Sequence, residues 1–333
     1  MLKINKHLIG RNNPTYIIAE MGVNHNGKVD IAMKMVEEGV KAGVDAIKLQ
    51  IVYSDKSYTK DTDSYAIFKK VELTTDEWGK VIILAKDLGI DIFATFTHPE
   101  DIGMVEQYDL PAIKISSSNL TNFPLLEASL KIGKPLLLST GLSYLSEIDE
   151  AVRFLERNNN NQIGLLQCTA LYPTIPDDVN LNVIKTLKMA YSYPVGFSDH
   201  TIGNSCAIAS VALGARIIEK HFTLDKSMVG TDHYFSATPE ELQMLVKAVR
   251  EVERSIGSYI KCPVPDEIPQ REIMQRKLVA AKDIKSEEIL TKDSVLLKRS
   301  VAKGLASKYY DLVIGRKARK HIPVDTPITF DLI

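Results

Sequence analysis

Cysteine is scarce. The three residues of this type, Cys168, Cys206 and Cys262, are scattered and odd in number among 333 residues. That spacing excludes a disulfide-stapled scaffold and makes a reducing cytoplasm the expected location. Tryptophan is represented only by Trp78, on an amphipathic stretch where packing is its expected role. No apolar run approaches the roughly 18 residues of a membrane span, and the opening MLKINKHLIGRNNPTY lacks the apolar centre of a signal peptide. Neither sign of charge dominates, with 41 Lys and Arg against 42 Asp and Glu and a net charge of −1. Nucleic acid and a membrane surface are therefore not expected as partners held by bulk electrostatics. No Gly-x-Gly-x-x-Gly opens the first strand–helix unit, which argues against a dinucleotide fold.

What is present is a regular alternation. Short apolar runs at 16–20, 46–50, 92–95, 112–115, 135–139, 163–168, 195–198 and 217–221 read as strands buried on both faces. Amphipathic stretches at 30–41, 76–88, 99–108, 123–132, 146–158, 181–191, 204–213 and 239–256 read as the helices between and after them. Thr74 and Glu77 have capping-box spacing, and Gly43, Gly89, Gly133 and Gly214 stand where helices should stop. Eight strand–helix units predict a (β/α)₈ TIM barrel over residues 1–257. Pro263, Pro265 and Pro269 mark 258–275 as an extended linker. Residues 276–333, with short apolar runs among many basic residues, read as a small mixed-β domain.

Barrel chemistry gathers at the C-terminal strand ends, and those ends are polar here beyond any packing need. Ser198 and His200 share a direction, as do Glu219 and His221, because residues two apart on a strand point the same way. On neighbouring parallel strands, His200 and His221 with a carboxylate nearby would make a divalent-metal site. Each histidine could instead satisfy a loop carbonyl. Lys48 and Lys114 lie within apolar strands and so need anionic partners. Either could form an ion pair with a carboxylate such as Glu20. With Thr95, Ser117, Ser139 and Ser198 converging, the two lysines also suit a phosphate and a carboxylate. A Schiff base on one of them is the competing use.

Several motifs belong together: Glu20-Met21-Gly22-Val23-Asn24-His25-Asn26-Gly27, Lys48-Leu49-Gln50, Ser139-Thr140-Gly141, Cys168-Thr169 with Tyr172-Pro173-Thr174, Phe197-Ser198-Asp199-His200-Thr201, Glu219-Lys220-His221-Phe222 and Gly230-Thr231-Asp232-His233. Together they resemble the sialic acid synthase family, which includes N-acetylneuraminate, legionaminate and pseudaminate synthases. The tail resembles the antifreeze-like (SAF) domain that follows the barrel in that family. The resemblance implies a phosphoenolpyruvate-dependent transferase that forms a carbon–carbon bond with an N-acyl hexosamine and releases phosphate. It implies Mn²⁺ or Mg²⁺ on His200 and His221, and phosphoenolpyruvate against Lys48, Thr95, Lys114, Ser117, Ser139 and Ser198. Gln50, Tyr172, Asp232 and Arg299 would contact the sugar. Glu20 and Glu219 would join the two histidines in catalysis, and a domain-swapped homodimer would bring each tail to its partner's barrel. A Schiff-base pyruvate lyase and a non-catalytic sugar-binding relative are the alternative readings.

Three departures stand out. Ala170 precedes the Tyr-Pro pair where many relatives have Asn or Ser. Thr95-Phe96-Thr97 replaces Thr-Pro-Phe, and Arg299 is followed by Ser300-Val301 rather than Pro-Gly.

Overall fold

The eight apolar runs all form strands. In the computed structural model, which describes residues 1–10 and 13–333, the chain divides into two compact units, Met1–Gly257 and Ser258–Ile333. The first unit begins with an antiparallel hairpin, β1 (Leu2–Ile4) and β2 (His7–Ile9), which the sequence pattern did not predict. The barrel strands follow: β3 (Tyr16–Glu20), β4 (Ala46–Ile51), β5 (Asp91–Phe96), β6 (Ile113–Ile115), β7 (Leu136–Ser139), β8 (Ile163–Cys168), β9 (Val195–Asp199) and β10 (Ile217–His221). All are parallel, and β10 closes on β3 with Ile217 opposite Tyr16 and His221 opposite Glu20.

The strands face two apolar environments, and the period of two decides which residue meets which. Inward-pointing Tyr16, Ile18, Ala46, Phe93, Ala112, Leu137, Leu166 and Ile217 form one cluster with Leu2, Ile4 and Ile9 of the hairpin. This fills the lower barrel and plugs its N-terminal mouth. Asp91 on that floor accepts hydrogen bonds from Asn5 (2.9 Å) and Tyr16 (2.8 Å) and meets His7 Nδ1 at 2.8 Å. Two residues further along the same strands, still pointing inward, come Glu20, Lys48, Thr95, Lys114, Ser139, Cys168 and Glu219. The polar site therefore stands directly on the apolar plug. Outward-pointing residues such as Ile17, Ile47, Phe197 and Ile218 join the helices in the larger core.

The helices form close to where their patterns place them, from Val29–Ala42 to Pro239–Ile256. Thr74 and Glu77 make the expected capping box. Gly43 and Gly133 end their helices in the left-handed conformation (φ +82° and +70°), which favours glycine. The stretch 99–108 is a 3₁₀ turn, Pro99–Ile102, running into the short helix Gly103–Gln107. Between β4 and the helix Thr75–Asp87 the chain inserts two further helices, Ser54–Ser57 and Asp63–Val71. Charge masks them in the sequence.

The second unit has its own core, which includes Leu278, Ala280, Ile284, Leu290, Val313 and Ile322. Its strands β11 (Lys277–Ala280) and β12 (Val295–Lys298) pair antiparallel, and its core-forming part has little helix, as expected of a mixed-β domain. The expectation of an extended linker needs correction. Within 258–275, Glu267–Met274 is a helix with no buried residue. Pro269 sits in its first turn, where a missing N–H costs nothing, so the prolines do not prevent the helix.

Candidate active site

Two lysines and two carboxylates meet at the C-terminal end of the barrel. Lys48 Nζ, from β4, lies 2.8 Å from Glu20 Oε2 and 3.2 Å from Glu219 Oε1. The ion pair with Glu20 weighed above thus forms, and Lys48 still borders open space. Lys114 Nζ donates to Ser139 Oγ at 2.7 Å and lies 3.8 Å from Glu219 Oε1. Ser198 Oγ donates to that same oxygen at 2.8 Å. Burial pushes Glu219 up, but Lys114 and Lys48 prevail and hold it at about 2. Burial dominates for Lys48 and brings it down to about 8 despite Glu219.

Above these groups opens a cavity of about 360 Å³. Glu20, Lys48, Gln50, Thr95, Lys114 and Ser117 line it, together with Ser139, Tyr172, Ser198, His200, Glu219, His221 and Asp232. Every barrel residue singled out in the sequence is thus on one surface. Arg299 is on the second unit, exposed to solvent beyond β12. Thr95 Oγ1 and Glu219 Oε2 are buried without a hydrogen-bond partner. Buried polar atoms normally have one, so these two are suited to a ligand or ordered water.

His200 follows β9, and its Nδ1 lies 2.8 Å from the Thr169 carbonyl. The structure thus realises the loop-carbonyl contact for one ring nitrogen, while the other remains available. His221 ends β10, its ring centroid 5.2 Å from that of His200. Its Nδ1 is buried without a hydrogen bond and lies 3.5 Å from Asp232 Oδ2. Burial, reinforced by the nearby His200 and Lys48, keeps His221 neutral, while burial raises Asp232. Among the described residues no group of three or more His, Cys, Asp or Glu has metal-holding geometry. A neutral imidazole with an unused buried nitrogen, beside a second imidazole tethered through its other nitrogen, nevertheless fits a divalent cation completed by substrate or water.

The tyrosine closes this side of the site. Tyr172 lays its ring 4.2 Å from that of His200, and Phe235 lies 5.2 Å from the His221 ring. Sequence reasoning missed other parts of the lining. Val23, Tyr58, Ser64, Ile67 and Phe68 also line the cavity, along with Ser116, Cys168 and Thr231. Ser64, Ile67 and Phe68 come from the inserted helix Asp63–Val71, and Phe68 stacks on Tyr58 at 5.4 Å. Their i, i+3, i+4 spacing was the available signal. Cys168 Sγ accepts from Ser117 Oγ at 3.5 Å, and Ser117 Oγ in turn accepts from the Gly141 N–H at 3.0 Å.

Comparison with known proteins agrees with this fold. The chain is 43% identical over 330 residues to an uncharacterized protein of Methanocaldococcus jannaschii, covering 99% of this chain and 98% of that one. It is 37% identical over 327 residues to the N,N'-diacetyllegionaminic acid synthase of Campylobacter jejuni, covering 93% and 98%. The crystal structure of N-acetylneuraminic acid (sialic acid) synthetase from Leptospira borgpetersenii superposes with a TM-score of 0.77 at 33% identity, covering 82% of this chain and 96% of that one. The SAF domain pattern matches residues 275–333, and the NeuB family pattern matches residues 35–261. With a closed parallel barrel, a polar cluster at its C-terminal mouth and relatives matched over nearly their whole length, the chain belongs to the NeuB family.

Proposed function

We propose that this protein condenses phosphoenolpyruvate with the open-chain form of an N-acyl hexosamine, N-acetylmannosamine or a related acetamido sugar. The products are a nine-carbon 2-keto-3-deoxy sugar acid and inorganic phosphate. The observation that carries the reading is the pairing of Lys48 and Lys114 around Glu219 on one cavity with His200 and His221. It joins an anion cradle to an imidazole pair, and the family supports it.

The residues divide the work by charge. Lys48 and Lys114, with Thr95, Ser117, Ser139 and Ser198, bind the phosphate and carboxylate and stabilise charge moving onto the departing phosphate. Gln50, Tyr172, Asp232 and Glu20 orient the sugar, so that carbon 3 of phosphoenolpyruvate meets the aldehyde carbon. A Mn²⁺ or Mg²⁺ ion bound by His200 and His221 would supply Lewis acidity at the aldehyde oxygen. After the new C–C bond forms, water adds to carbon 2, and the C–O bond to phosphate breaks. Glu219, at about 2, is too weak a base to take a proton while both lysines attend it. An arriving phosphate competes for those lysines and raises its proton affinity. Glu219 then orients the water through Oε2 and accepts its proton. Arg299 of a partner chain would reach the N-acyl group in a domain-swapped homodimer, and the SAF match of the tail supports that arrangement.

The lowered proton affinity of Lys48 favours one second reading, a Schiff-base pyruvate lyase. One assay separates the two. Phosphate release from phosphoenolpyruvate is measured with N-acetylmannosamine, its 6-phosphate and a diacetamido-trideoxy hexose. Release that depends on one of these sugars is the expected result. Absence of release with all three, with borohydride trapping of pyruvate on Lys48, supports the lyase instead.

A further inference from the structure

A buried ion pair lies immediately behind the two histidines, on the opposite face of the strands. Lys220 and Asp199 are each 1% exposed. They are register partners on β10 and β9, next to the pair Glu219 and Ser198. Strand alternation turns Lys220 and Asp199 outward, in the direction of Ile218 and Phe197, which belong to the apolar layer between strands and helices. Lys220 Nζ donates to Asp199 Oδ2 at 2.9 Å and also to the Thr201 carbonyl. Asp199 Oδ1 accepts the Thr201 N–H at 2.8 Å. Both backbone groups of the residue after His200 are thus held by this pair. On the inner face Ser198 donates to Glu219 at 2.8 Å, so β9 and β10 are tied on the outer face one residue, and on the inner face two residues, before their histidines.

Stability does not call for such a pair. A buried ion pair can usually be exchanged for neutral side chains of similar volume with little loss, because desolvation offsets the attraction. Fixed geometry is what an apolar exchange would forfeit. We infer that Lys220 and Asp199 are positioning residues, a clamp that fixes the backbone carrying His200 against that carrying His221 and so sets the distance between the two imidazoles. His200 is further held by its Nδ1 at the Thr169 carbonyl and by its own carbonyl, which accepts the Thr174 N–H at 3.0 Å. The clamp controls the remaining degree of freedom, the approach of one strand end to the other. As far as it concerns a bound cation, this inference rests on the proposed use of the two histidines.

The double variant Asp199→Asn/Lys220→Met replaces the charged pair with a neutral one and keeps an acceptor for the Thr201 N–H. It should stay folded by circular dichroism with a near-native melting temperature. Its Mn²⁺ affinity by titration calorimetry should fall roughly 10–100-fold, the usual loss when a group supporting a ligand is removed. The KM for phosphoenolpyruvate should stay unchanged, since Lys48 and Lys114 keep their own partners. A simply structural pair would not separate those two constants. Wild-type Mn²⁺ affinity in the folded double variant overturns the clamp. If the wild type itself binds no Mn²⁺, the metal reading fails separately. The clamp is then decided by the ring resonances of His200 and His221 in metal-free protein: broadening in the variant supports it, and unmoved resonances overturn it. Should the variant not fold, hydrogen exchange in the wild type decides. Thr201 N–H protection equal to that of the barrel strands supports the clamp, and rapid exchange overturns it.

Discussion

Lys48 loses more proton affinity to burial, reinforced by the nearby Lys114, than Glu219 restores, which brings its titration to about 8. The proposed cradle needs the cation, so the account makes protonated enzyme the active form below that pH. The value of kcat/KM for phosphoenolpyruvate should therefore be level through neutrality and fall about tenfold per pH unit above about 8. Lys48→Arg, which keeps its charge, should abolish that fall even at a lower maximum. A wild-type profile level to pH 10 would contradict this role. Lys114→Met leaves Ser139 without its donor and should raise the KM for phosphoenolpyruvate about 10–100-fold, the worth of a charged hydrogen bond. Removing divalent cations by chelation should stop turnover and adding Mn²⁺ should restore it; full activity of His221→Ala in excess chelator would end the metal reading. The place of Lys48 and Lys114 at the barrel mouth was legible in the sequence because a lysine between apolar strand residues is conspicuous. Phe68 and Tyr58 were not, because they reach the cavity from an insertion whose surface is charged.

At the scale of elements, β9 and β10 approach each other closely enough to exclude a methyl group. A Cβ on Gly196 would stand 2.4 Å from the Ile217 carbonyl oxygen and 2.6 Å from Ile217 Cβ. Backbone cannot yield as a side-chain tip does, so Gly196→Ala should cost about 1–3 kcal/mol in denaturant unfolding. It should also impair activity, because the strands that separate carry His200 and His221. Near-native stability and kcat would show that the barrel absorbs the methyl group. Thr74→Ala, which removes one half of a capping box, should cost only about 1 kcal/mol and leave kcat unchanged. The barrel strands were readable because burial on both faces gives each a short continuous apolar run. The β1–β2 hairpin was not, since three-residue strands carry almost no period. Its contribution is nevertheless large: Leu2, Ile4 and Ile9 are fully buried in the barrel floor. The helix Glu267–Met274 escaped because Pro269, with Pro263 and Pro265 before it, read as a linker, although the first turn tolerates a proline.

The whole molecule is a barrel unit that holds the cradle and the imidazole pair, and a separate small unit that holds Arg299. If the tail serves a partner's barrel, as proposed, two defective proteins should complement each other. One carries His221→Ala and the other Arg299→Ala, the latter first shown to be impaired. On dissociation and reassociation, a mixed dimer with crossed tails contains one site built from intact halves, and activity should reappear. No recovery, with mixed dimers demonstrated by mass spectrometry, would mean that each tail serves its own barrel. The central claim, condensation with breakage of the C–O bond of phosphoenolpyruvate, has a more direct test. Phosphoenolpyruvate carrying ¹⁸O in its bridging C–O–P oxygen is turned over with the acceptor sugar, and both products are analysed by mass spectrometry. The arrangement of Lys48 and Lys114 as a cradle that binds the substrate rather than attacks it predicts that the label leaves with inorganic phosphate. Label retained in the sugar acid would mean P–O cleavage and would contradict the account.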